Sequence, residues 1–205
     1  MEASAEQPDP AQSGRDQPDP ARGRGALGRR LRAGLAGLIL ALAPGLAAGQ
    51  PVPEPDGYRG EPYRAPVPDT LAGAQVIDTA GALALHADGA AFLDVLPRKA
   101  RPEGLPPDTI WNEPAHLSIP GAVWLWDTGY QALSPPEEAR LRDGLTRAQA
   151  DDPDRPLVIF CRADCWMSWN AARRAVEWGF APVLWFPGGT EAWQEAGGDL
   201  VPLTP

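Results

Sequence analysis

Cys161 and Cys165 are the only two cysteines of the chain, and both lie in Cys161-Arg162-Ala163-Asp164-Cys165-Trp166-Met167-Ser168-Trp169-Asn170. A thiol acts as a nucleophile or as a metal ligand through its thiolate. The chemistry therefore depends on what stabilises negative charge in this stretch. The apolar run Leu157-Val158-Ile159-Phe160 before it reads as a buried strand, and Ala171 to Val176 after it as a helix. A loop entering a helix turns several backbone N–H groups toward one point and adds the positive end of the helix dipole. Both effects favour a thiolate at Cys161, the first residue past the strand, and make it the candidate nucleophile. Cys165 would then attack a persulfide on Cys161 or resolve a mixed disulfide formed there. Two other uses of the pair stay open. One is a permanent disulfide that pins the loop. The other is a metal site in which Cys161, Cys165 and a distant His116 hold copper.

The flanking sequence supplies a frame for that turn. Val76-Ile77, Phe92 to Leu96, Ala122 to Leu125, Leu157 to Phe160 and Val183 to Trp185 read as short strands. Thr79 to His86, Pro135 to about Ala150, Ser168 to Trp178 and Thr190 to Ala196 read as helices. Ser134-Pro135-Pro136-Glu137 has the form of a capping box with proline in the first turn. Pro97 to Ser118 shows neither period and is expected to be a long loop. Strands alternating with helices through short links predict an α/β domain with three layers and a central parallel sheet of about five strands. Ligands of such sheets sit at the carboxyl ends of the strands, which is where Cys161 falls.

Residues 1–21 are polar and rich in proline, with QPDPA occurring twice, and are expected to be disordered. Residues 22–49 combine Arg22, Arg24, Arg29, Arg30 and Arg32 with the apolar stretch Ala33 to Ala43 and small residues at Ala47-Ala48-Gly49. A bilayer span needs roughly 20 apolar residues. This shorter stretch reads as an export signal cleaved near residue 49, which predicts a periplasmic location and no membrane association after cleavage, the alternative being an uncleaved membrane anchor. Residues 50–72 form a proline-rich extended lead-in, and residues 73–202 form the domain. Beyond residue 49 the chain keeps 12 of its 18 basic and 22 of its 27 acidic residues, a net charge of about −10. Such an acidic domain, without a basic stripe, argues against nucleic acid as a partner. An oxidising compartment would permit a disulfide between the two cysteines.

Four features resemble the rhodanese family. They are Phe92-Leu93-Asp94-Val95 with Arg98 behind it, His116-Leu117-Ser118-Ile119-Pro120-Gly121-Ala122, the apolar strand ending in Cys161-Arg162, and Gly188-Gly189-Thr190-Glu191-Ala192-Trp193-Gln194-Glu195-Ala196-Gly197. The cysteine stretch is also similar to that of exported rhodanese-like proteins found with PQQ-dependent alcohol catabolism, a group named for a Cys…Cys-Trp motif. Tyr58-Arg59, Tyr63-Arg64-Ala65-Pro66, Trp111 and Val123-Trp124 fit that group. There are departures. Met167 stands six residues after Cys161, where rhodaneses have Ser or Arg, and Ser168 stands seven after. The loop lacks the late arginine that related phosphatases use to clamp phosphate, so phosphatase activity is not expected.

The resemblance implies sulfur transfer, with a persulfide on Cys161 and a small sulfur-containing anion bound by Arg98, Arg162, Ser168 and Trp166, or thiol–disulfide exchange between Cys161 and Cys165. Asp94, His116 and Asn170 would brace the site. Asp164, inside the loop, would repel an anion. The alternative is a non-catalytic accessory protein that binds a quinoprotein alcohol dehydrogenase, its cytochrome or PQQ. No cofactor is required, and PQQ or copper stays open. Trp111, Trp124, Trp126, Trp166 and Trp169 are expected to meet at one end of the sheet, as an apolar pocket for a quinone or as ordinary packing. Trp178, Trp185 and Trp193 are expected in the core, with His86 as a plain surface or packing residue.

Overall fold

The structure, a computed structural model, describes residues 51–204. The expectations for the polar extension and the export signal lie outside the described residues. Eleven elements follow in order: β1 (Gln75–Val76), α1 (Thr79–Ala87), β2 (Ala91–Asp94), β3 (His116–Ser118), β4 (Val123–Trp124), α2 (Pro135–Ala148), β5 (Leu157–Phe160), α3 (Trp166–Glu177), β6 (Val183–Phe186), α4 (Gly189–Glu195) and β7 (Val201–Leu203).

Five strands form one sheet in the order β1-β6-β5-β2-β4, with every neighbouring pair parallel. The central strands β2, β5 and β6 are buried at every residue. That burial explains their apolar composition, interrupted only by Asp94 at the end of β2, because helices cover both faces of a parallel sheet. Side chains alternate between the faces. Leu157, Ile159 and Cys161 pack with Leu141 and Leu145 of α2 and Trp169 and Ala172 of α3. Val158 and Phe160 pack on the other face with Ala82 of α1 and Trp193 of α4. The expected three-layer α/β architecture is present.

Local chemistry fixes the helix starts. Asp78 caps α1, its carboxylate accepting from the Gly81 amide at 2.8 Å. Glu137 closes back on the Ser134 amide at 2.7 Å at the start of α2. Two elements differ from expectation. The long loop after β2 is not structureless to its end, since β3 pairs antiparallel with β7 in a separate two-stranded sheet. These three-residue strands carry no readable period, and their register partners lie more than eighty residues apart. Helix α3 begins at Trp166, two residues before the expected Ser168, so Cys165 is its N-cap.

Candidate functional site

Cys161 follows β5 directly, and Cys165 leads directly into α3, so the two thiols occupy the two ends of one tight connection. Neither is in a disulfide. Both are buried, Cys161 fully and Cys165 with 6% of its surface exposed. Cys161 Sγ lies 3.6 Å from the carbonyl oxygen of Cys165. Asp164 makes the turn between them possible by taking φ +51, a left-handed conformation that Asp tolerates better than most residues.

The two thiols have unequal acidity. Burial pushes the Cys161 thiol well above its ordinary value, and the neighbouring Cys165 adds to the rise. Cys165 is lowered to about 7, first by the hydrogen bond from the Cys161 thiol, then, against partial burial, by the backbone amides of Met167, Arg162 and Ser168. The start of the helix thus stabilises charge more on its own N-cap than on Cys161, where charge was expected and where the Ser168 amide only partly offsets burial. Ser168 braces this arrangement. Its hydroxyl donates to the Cys165 carbonyl at 3.1 Å and accepts from Trp185 Nε1 at 3.0 Å.

The lead-in runs over the loop. The Ala65 amide donates to the Asp164 carbonyl at 3.0 Å, and the Trp166 amide donates to the Tyr63 carbonyl at 2.9 Å. Arg64 and Cys165 are thereby antiparallel partners. Trp166 Nε1 adds a bond to the Pro66 carbonyl at 3.1 Å. Asn170 grips the same segment, accepting from the Arg59 amide and donating to the Arg59 carbonyl, both at 2.9 Å, and it also donates to the Gly129 carbonyl at 2.9 Å. Asn170 therefore anchors the lead-in rather than the cysteine loop itself.

The two arginines expected to bind an anion are committed elsewhere. Arg98 makes a two-pronged pair with Glu113, at 2.6 to 2.9 Å, within the long loop. Arg162 pairs with Glu191 at 2.7 Å, and Arg64 reaches the same carboxylate at 3.1 Å. The Ala163 amide also donates to Glu191, at 2.6 Å. Against the cost of partial burial, these three partners hold the Glu191 carboxyl below its ordinary value. Glu191 was not singled out in the sequence as a site residue. The signal that could have found it is an acidic residue inside the Gly-Gly-x-x-x-Trp motif of a helix that starts beside the cysteine loop.

Asp94 closes β2 with a fully buried carboxylate. It accepts from the Leu96 amide at 2.9 Å, from His116 Nε2 at 2.7 Å and from the Ser118 hydroxyl at 2.5 Å. His116 also stacks on Trp124, 4.0 Å between ring centres. It does not join the thiols, and among the described residues no group of three His, Cys, Asp or Glu side chains could hold a metal ion. The three-ligand copper arrangement of Cys161, Cys165 and His116 is thus corrected. A cavity of about 290 Å³ opens beside this dyad, walled by Lys99, His116, Trp124, Arg162, Thr190 and Glu191 among others, while neither cysteine lines it.

The tryptophans divide instead of lining one pocket. Trp166 and Trp169 meet edge to face in the core under the lead-in, whereas Trp124 packs near Trp126, which lies under Arg140. Trp185 and Trp193 are core residues as expected, Trp178 is only half-buried, with Arg142 over its ring, and His86 packs between Phe92 and Trp193.

The family model described as "Rhodanese-like domain" matches residues 79–196, more than half of the chain. The chain belongs to the rhodanese-like domain family. No curated protein matches it. A solved structure from Rhodopseudomonas palustris CGA009, described as a protein of unknown function and possible tyrosine phosphatase, is 22% identical, covers 66% of this chain and 99% of its own, and superposes with a TM-score of 0.40. In this rhodanese-like domain Cys161 stands at the carboxyl end of the central strand, and Gly189 of the Gly-Gly motif lets α4 press against the cysteine loop, where the Thr190 amide donates to the Cys161 carbonyl at 3.1 Å.

Proposed function

We propose that this rhodanese-like domain performs thiol–disulfide exchange through its cysteine pair, with Cys165 attacking and Cys161 resolving. The observation that carries the reading is geometric: two thiols, neither in a disulfide, close the two ends of one tight turn, with Cys161 Sγ 3.6 Å from the Cys165 carbonyl oxygen and Cys165 at the N-cap of α3, and the downward shift of Cys165 agrees with its attacking first. The Cys165 thiolate attacks one sulfur of a disulfide. That S–S bond breaks, a mixed disulfide forms, and the expelled thiolate takes up a proton. Cys161 then gives up its proton and attacks the Cys165 sulfur, releasing the second thiolate of the substrate. The domain ends with a Cys161–Cys165 disulfide, and the substrate is reduced by two electrons.

Sulfur transfer through a persulfide on Cys161 is the second reading, favoured by the place of Cys161 directly after β5. The commitment of Arg162 and Arg98 to Glu191 and Glu113 weighs against a small-anion donor. The setting we propose is the periplasm, beside PQQ-dependent alcohol oxidation. The arginine-rich, apolar segment at 22–49 and the Cys161…Cys165-Trp166 motif support it.

Intact mass decides between the chemistries. The reduced protein, mixed with a small aromatic disulfide, is expected to lose two hydrogens, and Cys161→Ser is expected to stop at a mixed disulfide on Cys165. Addition of one sulfur atom from thiosulfate, with no internal disulfide formed from any disulfide, would replace exchange by sulfur transfer. If a double variant lacking both thiols still supported growth on alcohols while loss of the whole protein did not, the domain would be a binding accessory.

A further inference from the structure

The backbone of the lead-in pairs with the cysteine loop on both sides of Cys165. Its two bonds join residue 65 to 164 and residue 166 to 63, so Arg64 and Cys165 face each other as a pair without mutual hydrogen bonds. In that arrangement the Cα atoms of the partners are ~4.5 Å apart and their side chains lie on one face. A disulfide spans ~4.4–6.8 Å between Cα atoms. Any chain laid in this register with a half-cystine opposite Cys165 is therefore within reach of a bond to it.

The pairing is made by main-chain atoms and is open to many sequences. Beside Cys165, Trp166 Nε1 adds a side-chain donor to the Pro66 carbonyl, and that bond also ends on a main-chain oxygen. Recognition of this kind is how an extended peptide adds to an exposed edge, affinity coming from the backbone and selectivity from alternate side-chain seats. One such seat is present here, where Tyr63 packs edge to face on Tyr130 at 5.6 Å between ring centres. Small anions have no comparable welcome, because Arg162, Arg64 and the Ala163 amide all converge on Glu191.

We infer that the surface over the cysteine loop is a groove for an extended polypeptide, held in this structure by the chain's own residues 63–66, and that its working occupant is a disulfide-bearing segment of a partner protein. The inference rests on the exchange reading and names its substrate class. The partner segment displaces the lead-in, places one half-cystine in the register of Arg64, and is attacked there by Cys165. The disulfide of the segment breaks, its outer sulfur leaves as a thiolate and is protonated, and Cys161 completes the exchange. The resting lead-in slows, without blocking, the approach of other disulfides to the thiols, and the Arg64–Glu191 ion pair fastens it.

Peptides copying residues 59–67 test the register. One carries an activated cysteine disulfide in place of Arg64, and two others carry it in place of Tyr63 or Ala65. They are mixed with the reduced full chain and with its Arg64→Ala variant, whose lead-in has lost the ion pair to Glu191. The peptide with the cysteine in place of Arg64 is expected to modify Cys165 about tenfold faster than the other two, as pre-alignment of reacting groups provides, and faster in R64A than in the native chain. Equal rates for the three peptides would overturn the inference. So would oxidation of the pair by a small disulfide with no reaction of any peptide, an outcome that leaves the exchange reading standing. Failure of the small disulfide itself would remove that reading first. In a chain carrying both R64C and C161S, which cannot resolve, mild oxidation is expected to join position 64 to Cys165. Absence of that bond under conditions that oxidise the native pair would also overturn the inference.

Discussion

A side-chain carbon placed on Gly189 would lie 2.5 Å from the carbonyl oxygen of Cys161, and 2.8 Å from the backbone of Arg162. Gly189 also holds φ +53, in the left-handed region. Helix α4 can therefore approach the cysteine loop only because nothing projects from this position. Gly189→Ala is expected to lower unfolding stability by about 2–4 kcal/mol, combining the cost of the left-handed backbone with a clash against main-chain atoms that cannot rotate away. Urea denaturation followed by tryptophan fluorescence measures it. A loss no larger than that of an exposed substitution would show that α4 can shift freely away from the loop.

The acidity of Cys165 depends first on the thiol of Cys161. Thiolate absorbance in the ultraviolet is expected to titrate with a midpoint near 7 in the reduced native chain. The depressed value stabilises the fold at pH above the ordinary thiol range, and this contribution is lost as the pH falls through about 7. Cys161→Ala removes the donor, so the midpoint is expected to move upward toward the ordinary 9.0. An unchanged midpoint in C161A would assign the acidity to the backbone amides of Met167, Arg162 and Ser168.

Asp94 receives three donors in a fully buried position. Asp94→Ala strands the Leu96 amide, His116 Nε2 and the Ser118 hydroxyl, and each unmet buried group costs about 1–3 kcal/mol. A total loss of about 3–5 kcal/mol is expected, comparable to removing one partner of a buried pair. The Cys165 midpoint is expected to hold in D94A, because no hydrogen bond links Asp94 or its partners to the thiols among the described residues. A shift of that midpoint in a still-folded D94A would make the dyad part of the thiol site.

The parallel sheet was legible because its inner strands are apolar at consecutive positions, as burial on both faces demands, and because capping residues mark the starts of α1 and α2. The cysteine turn was legible for the same reason, as Cys161 ends such a run. The sharing of roles was not. Whether helix amides serve Cys161 or Cys165 turns on whether α3 begins at Ser168 or at Trp166, a two-residue difference that periodicity does not resolve. The fate of Arg98 and Arg162 was hidden too, since their partners Glu113 and Glu191 lie 15 and 29 residues away and belong to no spacing rule. The lead-in read as extended and proline-rich, and extended chain carries no sign of what it lies against.

Asn170 offers the cleanest way to loosen that lead-in without touching either thiol. Its carboxamide, fully buried on α3, makes three hydrogen bonds, two to Arg59 and one to Gly129. Asn170→Ala frees the Arg59 amide and two carbonyls, each able to recover water only if the segment lifts. The variant is expected to lose about 2–4 kcal/mol of stability and, more diagnostically, to expose Cys165. Alkylation of Cys165 by iodoacetamide is expected to run several-fold faster in N170A than in the native chain at the same pH, with Cys161 still slow, because Cys161 is buried by the sheet and helices as well as by the lead-in. Equal rates for Cys165 in the two proteins, with the stability loss present, would mean that its shielding comes from Tyr63 to Pro66 alone and that the Arg59 anchor plays no part in it.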